Sequence, residues 1–434
     1  MKFDTIIIGG GLSGLVCGIR LIQEGQRCAI ISSGQSALHF SSGSFDLLNA
    51  LPDGEPVSEP LHAVKELIRQ NESHPYSKMG IDKFTNIVSQ AEQFLTNIGI
   101  PTQGHATKNH FRVTPMGNMR PTWLTLKDFA ISDRQDSLPW KKVAIFNIAG
   151  FLDFYPQFIA DEFSKMGTAT EIYLFNLPDL DRLRKNPTEM RSTNIARVFD
   201  KQENIGELIK ILKKESKDCD AIIFPACLGF KNPTEASYLS EAIGKPVHLV
   251  ATLPPSIAGI RMQQYLHDYF QKLGGVYMLG DNIKKAEIED NNVTKIYSYN
   301  HGDIPFVGKD VVLATGSYFS QGLIATQDSV YEPIFDLDVA YEANRQEWYS
   351  PDMFKAQGYQ HFGVRTNNLF QALYKGETIK NLYVAGAILE GFNPIKEGTG
   401  GGVSILSALE VADNILAKYR KVKEERVNYE STTA

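Results

Sequence analysis

The sequence predicts a doubly wound α/β fold, and three observations support this class. Residues 3–8 form a short β-branched strand that meets the glycine-rich turn 9–14, and a helix with an apolar face follows. Residues 27–31 provide a second strand, which completes a βαβ unit at the start of the chain. Two later segments, 310–316 and 381–402, each join a buried strand to glycines, so the same pattern recurs up to the C-terminal helix.

The composition is that of a globular protein long enough for two or three domains. Of 434 residues, 43% are hydrophobic and 22% are charged, and the net charge is −6. Without a basic block, the sequence favours no nucleic-acid partner. It shows neither a signal-peptide pattern nor a run of the roughly 20 apolar residues that cross a bilayer. We therefore expect a cytoplasmic chain, or one held at a membrane by another component.

The cysteines indicate no metal centre. None of the four forms a C-x-x-C pair or has histidines at metal-ligand spacing. We expect them to be structural residues and predict no metal ligand in this chain. An iron–sulfur centre would have to come from a partner. The four are Cys17, Cys28, Cys219 and Cys227.

The glycine turn predicts a phosphate site because it lies between a strand and a helix. Gly9 permits the tight turn, Gly11 lets a phosphate approach the backbone, and Gly14 lets the helix pack on its strand. The free N–H groups at the start of the helix, where Ser13 lies, favour an anion. We therefore predict that these four residues bind a nucleotide-type cofactor.

The end of the second strand departs from the usual dinucleotide pattern. Such folds place an Asp or Glu there to hold the adenosine ribose. This sequence has Ser32 instead, which can still donate to a ribose hydroxyl but with a weaker grip. Ser32 is therefore a cofactor-binding candidate, while binding of a full adenine dinucleotide is in doubt.

Two later segments favour a flavin over a nicotinamide. Strand 310–314 with its glycine turn resembles the A-T-G element of two-domain flavoproteins, and 381–402 resembles their last flavin segment. There a helix N-terminus stabilises negative charge on the reduced flavin. Ala387 stands where an Asp is common in those proteins. The predicted flavin-binding residues from these segments are Thr315, Gly316, Gly386, Gly400, Gly401, Gly402 and Val403.

Further segments resemble those of fumarate-reductase-like flavoproteins. Ser42 and Gly43 lie in a small-residue stretch that resembles the one against the flavin, and 361–367 resembles the substrate-capping segment. Because a guanidinium forks onto a carboxylate or phosphate, cationic residues are the natural ligands of an anionic substrate. We predict His361 and Arg365 as catalytic residues, with His361 the candidate base. The predicted substrate-binding residues are Arg365 and Arg261.

The predicted flavin-binding domain is discontinuous. It comprises 1–60, 246–330 and 376–434, interrupted by an inserted helical and α/β region at 61–245. A smaller capping or substrate region covers 331–375. Within the insertion we predict buried strands at 141–149 and 220–225, and a polar, Pro-broken stretch at 101–140.

As a whole, the chain resembles the B subunit of anaerobic glycerol-3-phosphate dehydrogenase. The supporting stretches are spread from end to end: FDTIIIGGGLSGLVCGIRL, QSALHFSSGSFDLL, ATLPPSIAGIR, LATGSYFSQGL and EGTGGGVSILSAL. The resemblance implies a flavoprotein partner of a catalytic A subunit, with a membrane-associated iron–sulfur C subunit that passes electrons to quinone. It implies oxidation of sn-glycerol 3-phosphate to dihydroxyacetone phosphate in fumarate or nitrate respiration. The chain would be cytoplasmic and held peripherally at the inner membrane through a partner.

The resemblance implies FMN as the flavin, with FAD as the alternative. FMN has no adenosine to hold, which agrees with Ser32. Two other functions stay open at this point. One is a non-catalytic scaffold on a flavin fold that bridges the catalytic and membrane subunits. The other is an independent flavin oxidase or dehydrogenase for a different small anionic hydroxy compound.

Overall fold

A computed structural model describes residues 1–232 and 234–433 of the protein, with side chains described except at 187 and 422–433. The chain forms two compact units. Unit 1 comprises Met1–Ala37, Leu47–Ile98 and Tyr265–Ala434. Unit 2 comprises Leu38–Asp46 and Gly99–Gln264.

The strands are numbered in chain order. They are β1 (Lys2–Ile8), β2 (Cys28–Ser32), β3 (Ser44–Phe45), β4 (Thr102–Gln103), β5 (His110–Val113), β6 (Met119–Thr122), β7 (Leu124–Leu126), β8 (Ile131–Ser132), β9 (Lys142–Ile148), β10 (Ala169–Phe175), β11 (Ala221–Pro225), β12 (Val247–Val250), β13 (Val276–Leu279), β14 (Ile283–Glu289), β15 (Asn292–Ser298), β16 (Val307–Leu313), β17 (Ile324–Ala325), β18 (Val330–Tyr331), β19 (Val339–Ala340), β20 (Gly363–Val364), β21 (Gln371–Tyr374) and β22 (Glu377–Val384).

The helices are numbered in the same way. They are α1 (Leu12–Gln23), α2 (Pro60–Gln70), α3 (Pro75–Met79), α4 (Ile81–Asn97), α5 (Pro156–Lys165), α6 (Pro178–Arg184), α7 (Ser192–Phe199), α8 (Gln202–Glu215), α9 (Glu235–Ile243), α10 (Ile257–Lys272) and α11 (Gly400–Thr433). Short 3₁₀ turns lie at Ala37–Phe40, Pro187–Glu189, Tyr318–Ser320, Arg345–Glu347 and Gly358–His361.

Unit 1 is built on a six-stranded sheet with the order β13-β2-β1-β16-β22-β21. All neighbours are parallel except β21 and β22. β1 ends in three fully or nearly fully buried isoleucines, as expected for a strand covered on both faces. The sheet confirms the predicted doubly wound class. Because β2 and β16 flank β1 on opposite sides, the chain order reverses beside β1, and ligands of open α/β sheets bind at such a point.

The helices of unit 1 bury the sheet's apolar strands. α11 packs against α1 and α4, and its residues Val403, Ile405 and Leu406 are fully buried. α1 ends at Gln23, and Gly25 follows its C-cap with a φ of 86°, a left-handed value that glycine adopts without strain. The N-terminal βαβ unit thus forms from local sequence signals, whereas α11 is held by packing across the chain.

Unit 2 contains a four-stranded parallel sheet with the order β10-β9-β11-β12. β9 and β11 confirm the predicted strands at 141–149 and 220–225. The sequence did not reveal β10, an edge strand with only one buried residue, because its apolar run of four residues is too short to identify a strand by periodicity.

No strand was predicted within the polar, Pro-broken stretch at 101–140. It contributes five short strands to two three-stranded antiparallel sheets, β3-β7-β4 and β6-β5-β8. Strands of two to four residues are too short to show a two-residue period. Pro121 within β6 further weakens the strand signal.

The units divide the chain differently from the sequence-based domains. Residues 61–98, assigned to the insertion, lie in unit 1, where α4 packs against α11. Residues 246–264, assigned to the flavin-binding domain, lie in unit 2. The segment 331–375 belongs to unit 1 and supplies β21 to its sheet. These differences come from long-range packing, which local sequence patterns do not encode.

Neither a membrane span nor a metal cluster is found among the described residues. No helix there combines the length and hydropathy that a bilayer requires, and no three potential metal ligands converge. The four cysteines are free and buried, and burial raises the pKa of the Cys227 thiol. Such thiols pack as small apolar groups.

Glu332 is a buried carboxyl that makes stability depend on pH. Burial raises its pKa to about 7, although the backbone N–H groups of Ile334 and Phe335 donate to it at 2.9 and 2.8 Å. The folded protein therefore holds this proton from pH 4.5 to 7, where the unfolded chain has lost it. The contribution of Glu332 to the free energy of unfolding is therefore largest below the unfolded pKa and is lost as the pH rises through 7. The total loss is about 3 kcal/mol.

We expect Glu332→Gln to flatten the decline of the unfolding free energy between about pH 5 and 8. Urea unfolding across that range measures the slope. Glu347→Gln, at an exposed position, is the control and should keep the wild-type slope. Equal slopes for Glu332→Gln and the wild type would contradict the assignment.

Candidate functional site

Two glycines of the turn after β1 lie too close to backbone atoms to carry a side chain. Gly9 has a φ of 111°, and an added Cβ would lie 2.2 Å from the carbonyl oxygen of Ala314. A Cβ on Gly14 would lie 1.9 Å from the carbonyl oxygen of Gly9. Both glycines therefore let the turn lie close to the end of β16 and to α1.

Gly11 differs from these two because its surroundings are open. Its φ is −84°, and an added Cβ would meet only the Cβ of Ser36, at an ordinary 3.5 Å. Gly11 is the N-cap of α1, which has no side-chain cap and no acidic residue in its first turn. Unpaired N–H groups and the positive end of the helix dipole favour an anion there. Gly11 thus leaves space over an anion-binding helix start.

The other predicted flavin segments reach the same edge of the sheet. The hydroxyl of Ser13 lies 2.2 Å from where a Cβ on Gly386 would be. The backbone N–H of Gly386 donates to the hydroxyl of Ser407 at 2.9 Å, which ties the end of β22 to α11. The structure therefore brings Ser13, Gly386 and α11 together.

Thr315 and Gly316 follow β16 beside the glycine turn. The Thr315 backbone nitrogen would lie 3.0 Å from a Cβ on Gly9. Its hydroxyl is buried and has no hydrogen-bond partner among the described residues. Gly316 has a φ of 79° and turns the chain. Because an unpaired buried hydroxyl is costly, a polar ligand atom at this edge would stabilise Thr315.

The N-terminus of α11 is glycine-rich partly for packing. A Cβ on Gly402 would lie 2.2 Å from the hydroxyl of Tyr76, which donates to the carbonyl of Leu47 at 2.9 Å. Gly400 and Gly401 are partly exposed, whereas Val403 is fully buried. The helix thus offers backbone dipole and N–H groups rather than side chains to a ligand.

Three further predicted residues lie in unit 2. The hydroxyls of Ser42 and Ser44 are 3.2 Å apart. A Cβ on Gly43 would approach the ring of Phe129 to 2.9 Å. Arg261 is 8% exposed and forms an ion pair with Asp128 at 2.8 Å. The Arg261 guanidinium therefore already has a carboxylate partner.

Arg365 lies at the surface of unit 1. Its side chain is 57% exposed, and its Nε is 3.9 Å from a carboxylate oxygen of Glu390. The other oxygen of Glu390 accepts from Lys78 at 2.9 Å. Lys78 is 7% exposed and also donates to the hydroxyl of Thr366 at 3.0 Å. The exposed Arg365 guanidinium is thus only weakly paired and can bind an anion, whereas the buried Lys78 ammonium already has Glu390 and Thr366 as partners.

The structure adds a buried polar cluster that sequence reasoning missed. His74 and Glu397 are fully buried, with His74 Nε2 3.4 Å from a Glu397 carboxylate oxygen. The backbone N–H of Tyr76 donates to His74 Nδ1 at 2.9 Å, so Nε2 carries the proton of the neutral ring. Burial lowers the pKa of His74, with Glu397 opposing the shift.

His361 lies near this cluster. Burial lowers its pKa, with the charge of Glu397 opposing the shift. No donor among the described residues forms a well-aligned hydrogen bond with either carboxylate oxygen of Glu397. The buried hydroxyl of Thr399 also has no hydrogen-bond partner there. His361 is therefore partly exposed and lies near a carboxylate, that of Glu397, which lacks well-aligned hydrogen-bond donors.

A cleft of about 580 Å³ opens in unit 1 next to this group. Gln360, Asn393 and Lys396, which are chain neighbours of His361 and Glu397, form part of its lining. The side-chain amide of Asn393 donates to Gln360 at 2.6 Å. Glu397 could have been noticed as a charge beside the last glycine run, whereas no sequence pattern marks His74.

Comparison with known proteins gives matches over nearly the whole chain. A family model described as an FAD binding domain matches residues 4–403. The B subunit of anaerobic glycerol-3-phosphate dehydrogenase from Yersinia enterocolitica is 49% identical over 418 residues, covering 96% of this chain and 99% of its own. The protein of the same name from Actinobacillus pleuropneumoniae is 39% identical over 424 residues, with the same coverages. The solved 3-ketosteroid-Δ4-(5α)-dehydrogenase of Rhodococcus jostii RHA1 aligns over 95% of this chain and 96% of its own, at 10% identity and a TM-score of 0.43.

Proposed function

This chain belongs to the family of anaerobic glycerol-3-phosphate dehydrogenase B subunits, and from that premise we propose that it is the flavin-carrying subunit of a respiratory dehydrogenase. The resemblance predicted from the sequence is confirmed, as is an oxidoreductase of the flavoprotein class. The proposed reaction oxidises sn-glycerol 3-phosphate to dihydroxyacetone phosphate and delivers the electrons to quinone. Its physiological role would be glycerol degradation with fumarate or nitrate respiration.

One observation carries the cofactor part of this proposal. Three glycine segments, which follow β1, β16 and β22, meet at the carboxyl edge of one sheet, beside the Thr315 hydroxyl, which has no partner among the described side chains and backbone groups. The residues present fit a flavin, since Gly11 leaves space for a phosphate and α1 supplies N–H groups. When bound, a flavin accepts a hydride and can release its electrons singly. The start of α11 would stabilise negative charge on the reduced ring.

We favour FMN as the flavin, with FAD as the alternative that the matched family model names. The position that usually holds the adenosine ribose carries Ser32. The Ser32 hydroxyl donates to the carbonyl of Gly34 at 3.0 Å, so it is engaged within its own loop. FMN has no adenosine ribose, so it requires no hydrogen-bond partner at this position.

Membership in a B-subunit family supports a multisubunit enzyme, for which we propose two partners. A catalytic A subunit would pair with this chain, and a membrane-associated iron–sulfur C subunit would accept the electrons. We assign the iron–sulfur centres to the C subunit, as the family resemblance implies. The assembled enzyme would be cytoplasmic and bound peripherally to the inner membrane.

Reconstitution of the complex tests this function. Glycerol 3-phosphate:quinone reductase activity is measured for the A and C subunits alone and for the two subunits together with this chain. We expect activity only when this chain is present. Substrate turnover by the isolated chain would instead favour an independent dehydrogenase. Equal activity with and without the chain would contradict the proposal.

A scaffold function is the second candidate, supported by Ala387 and Ser32 in place of the usual acidic residues. Gly11→Val separates the two, because Gly11 has an extended backbone and room for a side chain. A flavin-dependent subunit loses quinone reductase activity in this variant. A scaffold assembles and keeps that activity.

Arg365→Ala is expected to raise the KM for glycerol 3-phosphate in the reconstituted complex. Loss of a charge-assisted phosphate contact of about 1.5–3 kcal/mol corresponds to roughly tenfold to hundredfold. Steady-state kinetics measure this, and Arg69→Ala, whose side chain is 77% exposed, is the control. An unchanged KM and kcat would remove Arg365 as a substrate ligand.

A further inference from the structure

Tyr277 lies directly over the glycine turn of unit 1. Its hydroxyl donates to the carbonyl of Gly10 at 3.1 Å. A Cβ added to Gly10 would lie 2.0 Å from that hydroxyl and 2.8 Å from the Cβ of Ser32. Gly10 is therefore kept side-chain-free by Tyr277 and Ser32, both parts of the protein itself, rather than by a ligand.

Tyr277 reaches this place from β13, on the far side of β2 from β1. β13 pairs in parallel with β2, with Tyr277 opposite Ile30. The phenol ring therefore extends past the end of β2 to the turn that follows β1. The ring of His267 packs edge-on against it with centroids 4.6 Å apart, which holds the tyrosine in this orientation.

Tyr277 lies beside the position at which dinucleotide folds hold the adenosine. In dinucleotide folds the ribose lies at the end of the second strand, beside the glycine turn, where an acidic residue holds it. Here that strand ends in Ser32, which is 5% exposed and bonded to Gly34. Gly11 stays open on the same turn, so the space for a phosphate is kept.

We propose that Tyr277 is a specificity-determining residue that occupies the adenosine subsite and restricts this chain to a flavin mononucleotide. The proposal rests on the proposed flavin function and adds the cause of the cofactor choice. To admit FAD, the ring must leave Gly10 and its contact with His267, and no carboxylate compensates at Ser32. FMN ends at its phosphate and leaves Tyr277 in place.

Flavin titration of the full-length chain, freed of cofactor, tests this role. Quenching of flavin fluorescence gives the Kd for FMN and for FAD in the wild type, Tyr277→Ala and Tyr277→Phe. The wild type should prefer FMN at least tenfold. Tyr277→Ala should bind FAD at least tenfold more tightly than the wild type, with FMN affinity within threefold. Tyr277→Phe keeps the ring and should keep the preference, as should Tyr299→Ala, at a position 67% exposed.

Each other outcome is decisive. Equal wild-type affinities for FMN and FAD, or an unchanged ratio in Tyr277→Ala, overturn the role of Tyr277 alone. Binding of neither flavin by the wild type overturns the proposed function as well. If Tyr277→Ala lacks a cooperative thermal transition, Tyr277→Leu replaces it, since leucine keeps an apolar contact with His267 but cannot reach Gly10.

Discussion

Replacing Gly9 by alanine should lower the free energy of unfolding by about 3 kcal/mol and abolish flavin binding. The new Cβ would lie 2.2 Å from the Ala314 carbonyl oxygen, at a φ of 111° that L-residues rarely adopt. The backbone strain costs about 1–2 kcal/mol and the overpacking about 1–3 kcal/mol. Both would push the turn after β1 away from the end of β16. Urea unfolding and flavin absorbance of the purified variant measure the two effects.

Gly25→Ala is the matched control for this substitution. Gly25 has a comparable positive φ of 86°, but an added Cβ would meet no heavy atom within 4 Å. Its loss should be limited to about 1 kcal/mol of backbone strain, with flavin content unchanged. If the two variants were equally stable and equally loaded with flavin, the close approach of the turn to β16 would not matter to the site.

Replacing His74 by alanine should destabilise the protein by about 3–5 kcal/mol, because it removes the partner of a buried carboxylate. His74 and Glu397 are both fully buried and 3.4 Å apart. The hydrogen bond from Tyr76 to Nδ1 leaves the proton of the neutral ring on Nε2, which is the nitrogen 3.4 Å from Glu397. Removing the ring leaves Glu397 without this contact. Urea unfolding measures the loss, and His62→Ala, at an exposed position, should change stability by less than about 0.5 kcal/mol.

A double substitution distinguishes lost pairing from lost packing. An apolar pair can replace a buried polar pair with little loss, so His74→Leu/Glu397→Leu should be less destabilised than the sum of the two single variants. A coupling energy above about 0.5 kcal/mol is expected for residues in contact. Additive losses would mean that the two side chains do not interact in the folded protein.

Local patterns in the sequence predicted the N-terminal βαβ unit and the parallel strands well. β1 ends in three isoleucines directly before Gly9, and β2 is a short apolar run between Gly25 and Gly34, so both strands can be recognised from local sequence alone. Because the carboxyl ends of parallel strands share one edge, placing the flavin segments on these strands also anticipated that they would meet.

The remaining features depend on contacts between distant parts of the chain. His74 and Glu397 are paired only because α3 and the segment before α11 pack together. Tyr277 reaches Gly10 because β13 is added beside β2, an adjacency that no local period encodes. The short strands between 101 and 140 likewise exist only through their pairing with one another and with β3.

Flavin binding at the glycine turn is tested most directly by cofactor release from the purified chain, with the wild type and Gly11→Val compared. Gly11→Val adds a side chain where a phosphate would lie, without a backbone clash. We expect about one flavin per wild-type chain, identified as FMN after release. Gly11→Val should hold little flavin at a nearly unchanged melting temperature. Absence of flavin bands in the wild type, even after reconstitution with FMN or FAD, or full occupancy in Gly11→Val, would contradict a flavin site at this turn.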